Sequence, residues 1–551
     1  MVFRRADRLP GPRCWCSIVL LLSALLAPLL RAQQGATPGH GKQGPLFQTS
    51  DRCMACHNGL STPAGEDVSI GLNWRATMMA NSSRDPYWQA GVRRETIDHP
   101  TARAAIEDEC AVCHMPMSRY EAMTQGREAE IFAHLPFDAG NPADRLAADG
   151  VSCATCHQIK DEKLGTRESF VGRFVIDSNR AAGERPMYGP FEIDKGLTRI
   201  MRSSAGFQPT EGKHIRKSEV CATCHTLYTK ALGPEGQVIG ELPEQVPYQE
   251  WLHSAYRDDK SCQSCHMPVV KDEIPITSVL GEPREGMSRH VFVGGNFFML
   301  RMLNRYRGDL RVAALPQELE ASAARTIAHL QSETAEIAIE RVEVGTERLE
   351  AEIAIKNLGG HKLPTAYPSR RVWLHVVVRD ANKRTVFESG ALDAHGLIQG
   401  NDNDADRTRY EPHYAEISSG DQVQIYESIM VDQTGTPTTG LLSAVRYVKD
   451  NRLLPRGFDK ATAEKDIAVH GSAVEDTDFT GGGDRVRYSV ALGDARGPFE
   501  IEAELSYQPI SYRWASNLRS YKAMETERFT KYYDSMSSAT AVVLARVSAT
   551  R

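Results

Sequence analysis

The sequence has no cysteine in its C-terminal half and no long apolar run after its first 32 residues. Cys265 is the last cysteine in a chain of 551 residues. After Leu30, no segment approaches the roughly 20 apolar residues that a membrane-spanning helix needs. Basic residues are not in excess, since 65 Lys and Arg stand against 71 Asp and Glu. These absences argue against a later membrane span and against the basic surface typical of nucleic-acid-binding proteins.

The first 32 residues have the composition of a signal peptide. Arginines precede an uncharged apolar stretch at 18–30, which suits a secretory signal and is too short to cross a bilayer. We therefore expect a signal peptide at 1–32, cleaved near Ala32, and a location in the periplasm, outside the cell or at its surface. The signal carries a charge of +4, so its removal takes the formal net charge from −6 to −10. This acidic balance favours basic or redox protein partners.

One short pattern occurs five times between residues 53 and 266. Each copy reads Cys-x-x-Cys-His, the spacing that attaches a c-type haem. Two thiols three residues apart can form thioethers with one porphyrin, and the next imidazole can then take an axial position on the iron. A redox dithiol, a zinc knuckle or chance would be open for a single copy, whereas five copies favour haem. The motifs are Cys53, Cys56 and His57; Cys110, Cys113 and His114; Cys153, Cys156 and His157; Cys221, Cys224 and His225; and Cys262, Cys265 and His266.

The cysteine count agrees with five covalent haems c. Of 12 cysteines, Cys14 and Cys16 fall in the predicted signal, and the five motifs use the other ten. No thiol is left over for a disulfide. The motifs span only 214 residues, too few to build a conventional core around each haem. We therefore predict a haem-packed domain at 33–308, made of brief helices and loops, in which close haems form a path for electrons.

The motifs and their surroundings resemble the periplasmic multihaem cytochromes c over roughly residues 50–300. Besides the motifs, the resemblance rests on Gly150-Val151-Ser152 before the third motif and on Glu250-Trp251 before the fifth. That superfamily includes the tetrahaem acceptor of hydroxylamine oxidoreductase and the pentahaem nitrite reductases. The resemblance implies haem binding and electron transfer. Nitrite reductases of this kind usually carry Cys-x-x-Cys-Lys at the catalytic haem, so the five terminal His residues count against nitrite reduction.

The sixth iron ligands are predicted from position. Outside the motifs the mature chain has 12 histidines, more than five sites need. His290 opens a His-x-Phe-x-Gly stretch and His361 a Gly-His-x-x-Pro-Thr turn, and the resemblance implies a distal ligand at the first and a possible reach to haem at the second. The distal candidates include three further histidines: His214, seven residues before Cys221; His134, after an Ile-Phe pair; and His253, nine residues before Cys262.

Met78 and Met79 are the remaining distal candidates. They follow Trp74 at about the place where the resembling proteins have a Ser-x-His ligand. A thioether ligand would raise the potential of its haem relative to a second imidazole. Packing of the two methionines against porphyrin is the alternative, because Met fills irregular apolar gaps well.

The pattern changes after His290. Helices are predicted at 296–307 and 316–333, with 309–335 as a bracing and linking segment. From about 337 the apolar residues alternate, which predicts strands at 337–344, 349–355, 372–378, 423–431, 486–490, 499–505 and 539–547, with a helix at 515–533. The predicted fold class is therefore α+β: a mainly helical or irregular haem domain followed by an antiparallel β-sandwich domain at 336–551.

The predicted β domain has no clear catalytic motif. Asp402, Asp404 and Asp406 have the spacing of a calcium loop, but the glycine and terminal Glu of an EF-hand are missing, so a solvated acidic loop is the favoured interpretation over calcium. Arg370 and Arg371 could pair with haem propionates.

Three functional hypotheses follow. The first and favoured one is a protein that transfers electrons through five six-coordinate haems. The second is an enzyme with one open-coordination haem that acts on a small nitrogen or sulfur compound. The third is a subunit of an extracellular haem polymer or conduit, in which the β domain mediates assembly. An electron carrier needs nothing beyond the visible motifs, whereas an enzyme needs an open iron and acid-base groups around it.

Overall fold

The computed structural model describes residues 44–551, in which short helices around the five motifs are followed by β-sheets and two longer helices. The predicted signal peptide at 1–32 lies outside the described residues. The mixture of helices and strands confirms the α+β class. Among the described residues, no helix is both long enough and apolar enough to cross a membrane.

Most helices of the motif region are short, and each of the five motifs overlaps one of them. A helical turn brings residues i and i+3 to the same face, so the two thiols of one motif face the same side. Proline begins several helices at their first position, where a missing N–H costs nothing. The α-helices are α1 (Ser50–Met54), α2 (Ile70–Arg75), α3 (Pro86–Asp98), α4 (Arg103–His114), α5 (Pro116–Thr124), α6 (Pro142–Ala148), α7 (Cys153–Cys156), α8 (Lys195–Ala205), α9 (Ser218–Ala222), α10 (Pro247–Leu252), α11 (Cys262–His266), α12 (Phe297–Arg305), α13 (Pro316–Glu333), α14 (Asp402–Ala405), α15 (Tyr512–Asn517) and α16 (Met524–Asp534).

The strands lie mostly beyond residue 334, with two small pairs in the motif region. They are β1 (Arg185–Gly189), β2 (Phe207–Glu211), β3 (Leu227–Leu232), β4 (Val238–Gln245), β5 (Ala335–Val344), β6 (Arg348–Asn357), β7 (Arg371–Arg379), β8 (Thr385–Ser389), β9 (Glu416–Ile417), β10 (Ile425–Tyr426), β11 (Ser428–Val431), β12 (Pro437–Thr438), β13 (Arg446–Asp450), β14 (Gly483–Ala491), β15 (Glu500–Gln508) and β16 (Val542–Thr550).

Two larger sheets dominate the C-terminal part. One has the order β10-β7-β15-β16, with β8 also paired to β7, and the other has the order β5-β6-β14-β9. Most pairings are antiparallel, as predicted, but β9 runs parallel to β14. Three smaller sheets are β12-β11-β13, the parallel pair β1-β2 and the antiparallel pair β3-β4.

Two predicted elements are divided in the structure. The strand expected at 423–431 breaks at Glu427, because β10 pairs with β7 in one sheet whereas β11 pairs with β13 in another. The buried Glu427 side chain forms an ion pair with Lys449 at this point. The helix expected at 515–533 is two helices, α15 and α16, separated by a turn of 3₁₀ helix at Leu518–Ser520.

A single apolar core joins the bracing helices to the sheets. Phe297, Leu300, Met302 and Leu303, predicted to point inward from α12, are all buried in it. The same core contains inward side chains of β6, β7, β14 and β15. The described residues, 44–551, pack as one unit, so the boundaries near 308 and 336 and the sandwich architecture remain predictions.

Candidate haem-binding site

One cavity runs through the motif region and reaches the turns between the later strands. Its volume is about 1160 Å³, above the usual range for a single small-molecule site. Every cysteine and histidine of the five motifs lines it. Apolar side chains supply much of the rest of the wall, among them Trp74, Met187, Leu197, Ile200 and Tyr248.

The ten motif thiols are free, and several from different motifs are neighbours. None of them takes part in a disulfide. The side chains of Cys53 and Cys153 are within hydrogen-bonding reach, as are those of Cys113 and Cys224 and those of Cys221 and Cys262. The fourth motif therefore touches both the second and the fifth, and the first touches the third.

Four of the five motif histidines are oriented by the backbone. Nδ1 donates to a carbonyl oxygen in each, and the carbonyls belong to Ile276 for His57 (2.6 Å), Ser82 for His114 (3.0 Å), Tyr188 for His157 (2.6 Å) and Val293 for His266 (2.6 Å). This bond fixes the tautomer and leaves Nε2 available to a metal, the arrangement of ligating histidines in general. His225 differs, since its ring has no hydrogen-bond partner among the described residues.

Burial keeps these imidazoles neutral. It lowers the pKa of His114 to about 4 and also lowers the pKa values of His57, His157 and His266, while the carbonyl bonds act in the opposite direction. A neutral imidazole keeps the lone pair that a metal requires. The motif residues therefore fit axial coordination of haem iron as well as thioether attachment.

His290 and His157 both line the cavity, and their rings are neighbours. Their ring centroids are 6.2 Å apart and their planes differ by 23°. Two metal–nitrogen bonds of about 2 Å, plus about 1 Å from each nitrogen to its ring centre, give about 6 Å. Nδ1 of His290 donates to the Ser288 carbonyl at 3.0 Å, and burial lowers its pKa to about 3. The separation thus suits two imidazoles on one iron.

Two imidazoles lie at a similar distance from His266. The His361 ring is 6.3 Å away with planes 9° apart, and the His329 ring is 6.4 Å away with planes 56° apart. Sequence reasoning included His361 and missed His329, because a lone His in a bracing helix carries no motif. The spacing of the helix is the one indication of this position: Ser322, Thr326, His329 and Glu333 follow one face of α13, and all four line the cavity.

The other three predicted distal histidines are placed elsewhere. Nε2, the nitrogen that would bind iron, is hydrogen bonded to the Ile159 carbonyl in His214 (2.8 Å) and to the Asp459 carbonyl in His253 (3.0 Å). In His134, Nε2 contacts Ser118 Oγ at 3.2 Å and Nδ1 contacts Asp144 at 2.7 Å. In this structure these three histidines do not line the cavity, and ligand roles for His214, His134 and His253 stay predictions.

Met78 and Met79 both line the cavity. Met78 also packs against the main apolar core, whereas Met79 is not among the residues of any apolar cluster. The Met79 carbonyl accepts the Val151 N–H at 2.9 Å, which fixes this segment beside the third motif. Ligation by either methionine stays a prediction, and Met79 is the one whose backbone contacts the residues just before the third motif.

The structure bears on two further predictions, the pairing of Arg370 and Arg371 with haem propionates and the calcium loop. Arg370 lines the cavity, but Arg371 is buried in a bidentate ion pair with Asp404, with both distances 2.8 Å. Asp402 pairs with Arg409 at 2.6 Å and Asp406 accepts hydrogen bonds from Thr408. Because the three carboxylates have separate protein partners, they do not form a calcium loop.

A buried group in the C-terminal part resembles a metal site by composition only. It comprises His413, Asp476 and Asp484. Nδ1 of His413 accepts from Gln424 Nε2 at 2.9 Å and Asn451 Nδ2 at 3.1 Å. The proton of the neutral ring must then be on Nε2, which donates to Asp476 at 3.2 Å. No ring nitrogen is left for a metal.

Comparison with known proteins supports the fold. No family model matches the chain, and no curated protein matches it. Its structure is similar to the crystal structure of a penta-haem cytochrome c552 from Thermochromatium tepidum, with 16% sequence identity and a TM-score of 0.52. The similarity covers 92% of this chain and 99% of the cytochrome. The chain therefore shares the overall fold of that cytochrome.

Proposed function

We propose that the chain is a multihaem c-type cytochrome that transfers electrons through five covalently bound haems. The observation that carries this proposal is the single cavity lined by all five motifs, with four of their histidines oriented by backbone carbonyls. When bound, haem c supplies one-electron redox chemistry at its iron. The cysteines would hold the porphyrins, and the motif histidines would be the proximal ligands.

The distal ligands we propose are His290 opposite His157 and His361 opposite His266, on the ring separations of 6.2 and 6.3 Å. The neighbouring thiols of different motifs would hold the tethered groups close together. Because the fourth motif contacts both the second and the fifth, it connects those two motifs. Haem sites that lie close together suit the transfer of electrons from one haem to the next better than they suit an independent reaction at each haem.

The location, partners and domains follow from the same proposal. We propose an exported protein with redox protein partners, since c-type haem is attached outside the cytoplasm and the mature charge is acidic. Residues 33–308 would be the haem domain, 309–335 the brace and 336–551 a β-sandwich domain. The packing of α12 and α13 into the same core as the sheets supports a structural role for the brace.

Intact-mass measurement of the exported protein tests the proposal. We expect five haem additions per chain and no free thiol, and complete reduction of all five by dithionite. A variant in which Cys262 and Cys265 are replaced by serine should carry four. Fewer than five haems in fully matured parent protein would refute the proposal.

The cavity also favours a second candidate, the enzyme with an open haem. Among the described histidines outside the motifs, those lining the cavity are His290, His329 and His361. Three imidazoles cannot serve five irons, so at least two sites need another ligand or an open position. The surplus of histidines in the sequence therefore does not argue against an open iron. A high-spin signal in the oxidised protein, shifted by added cyanide, would support this candidate.

A further inference from the structure

Two stretches that lie 112 residues apart in sequence meet at one carboxylate. Glu250 is on α10, shortly before the fifth motif, and is fully buried. Its Oε2 accepts the backbone N–H of Lys362 at 3.1 Å and Thr365 Oγ1 at 2.5 Å. Lys362 and Thr365 belong to the turn that carries His361. The carboxylate therefore holds this turn at two points.

The carboxylate is itself held by a buried cluster of balanced charge. Glu250 Oε1 pairs with Arg452 Nη1 at 3.0 Å. Arg452 also pairs with Asp450 at 2.7 Å, and Asp450 pairs with Lys362 Nζ at 2.8 Å. Two anions and two cations are thus enclosed together. Buried ion pairs contribute little net stability, because desolvation offsets their attraction, so the cluster's main effect is a fixed geometry.

The backbone on the other side of His361 is also supported by the motif region. Gly360 packs against Trp251, where an added Cβ would lie 3.5 Å from the indole Cδ1. Tyr256 donates from its hydroxyl to the Leu358 carbonyl at 2.9 Å. Nδ1 of His361 donates to the Lys362 carbonyl at 3.0 Å, which leaves Nε2 available toward His266.

This support matters because His266 has two imidazole neighbours. His329 is almost as close as His361, at 6.4 Å against 6.3 Å, but its plane is turned by 56° from that of His266. Within the described residues, its ring takes part in no hydrogen bond. Only the His361 ring is oriented by the protein.

We propose that Glu250 is a positioning residue that places His361, and not His329, as the sixth ligand on the iron held by His266. This inference rests on the proposed haem binding at the fifth motif. It assigns one role to two features that the sequence presents separately, the Glu250-Trp251 segment and the Gly-His-x-x-Pro-Thr turn.

Low-temperature EPR of the oxidised holoprotein, together with a redox titration, tests the proposal. Replacement of Glu250 by alanine should remove the low-spin signal of one haem in five and shift one potential. H361A should remove the same signal. E250Q keeps an acceptor oxygen for Lys362 and Thr365, so it should retain most of that signal. H329A should leave the parent spectrum unchanged.

A matched control separates positioning from general destabilisation. D404N breaks the buried pair with Arg371 in the same part of the chain and should lower stability without moving any haem signal. The proposal is overturned if E250A keeps the parent spectrum while H361A changes it, or if H329A is the variant that removes the signal. Intact mass should show five haems in every variant. A deficit in the parent would instead count against the proposed function.

Discussion

The imidazole ring centroids of His157 and His290 lie 6.2 Å apart, and Nδ1 of each ring donates to a backbone carbonyl. These rings are 133 positions apart in the chain, and each is fixed by a hydrogen bond that leaves Nε2 available. Such a pair is prepared to bind one metal from both sides. Similar orientation of both rings by the protein reduces the loss of side-chain freedom on coordination.

Replacement of His290 by alanine should convert one haem of five from low spin to high spin, because the sixth ligand is lost. The optical and EPR spectra of the oxidised protein measure this change. H214A is the matched control, since His214 is a buried histidine whose Nε2 already binds the Ile159 carbonyl. An unchanged spectrum in H290A, or an equal change in H214A, would contradict the assignment.

Replacement of Met79 by leucine should lower one haem potential or leave one iron five-coordinate. Leucine keeps the side-chain volume roughly constant and removes only the sulfur, whose ligation favours ferrous iron. M78L serves as the control, because Met78 packs in the apolar core. A redox titration monitored optically compares the two. If both variants retain the parent potentials and spectrum, both methionines are packing residues.

The substitution D404N should lower the free energy of unfolding by about 3 kcal/mol, because it leaves the buried Arg371 guanidinium without its charged partner. Urea unfolding followed by circular dichroism measures the free energy of unfolding. D494N removes an exposed pair with Arg384 and should have little effect, since water screens that pair. Equal effects of the two substitutions would contradict the role given to burial.

Asp484 should make a contribution to stability that is lost as the pH rises from about 4 to about 7. Burial raises the pKa of Asp484 to about 7, whereas an unfolded Asp ionises at about 3.9. Between these values the folded state holds a proton that the unfolded state has released, so rising pH favours unfolding. His413 acts in the opposite sense, because burial lowers its pKa to about 4.

Comparison of the parent with D484N isolates the Asp484 contribution, since asparagine does not titrate. The thermal midpoint of the parent, taken relative to that of D484N at intervals from pH 5 to pH 8, should fall as the pH rises. Parallel pH profiles would show that Asp484 is ionised in the folded protein.

The haem motifs could be predicted from sequence because thioether chemistry fixes their spacing locally. The strands of the C-terminal part could be predicted because alternation follows from burial of one face, as in β6 and β14. The distal ligands could not be selected in the same way. The sequence made both His214 and His290 candidates, and only tertiary contacts show that Nε2 of His214 meets a carbonyl while the ring of His290 lies 6.2 Å from that of His157.

The contacts of Glu250 and the position of His329 could not be predicted from the sequence for the same reason. Glu250 contacts a turn 112 positions away, and His329 belongs to a helix whose apolar pattern alone predicted a brace. The single strand predicted at 423–431 is two strands in the structure, because alternation of apolar residues does not show where a chain passes from one sheet to another.

The contacts between thiols of different motifs bear on how the protein is assembled. In the folded chain Cys53 lies beside Cys153 and Cys221 beside Cys262, whereas in the proposed cytochrome the two cysteines of one motif are joined to the same porphyrin. A chain that folded first in an oxidising compartment would present these mismatched thiols to each other, and a disulfide between them would block two motifs at once. If each motif holds a haem as proposed, attachment of each porphyrin would have to precede collapse of the chain around it.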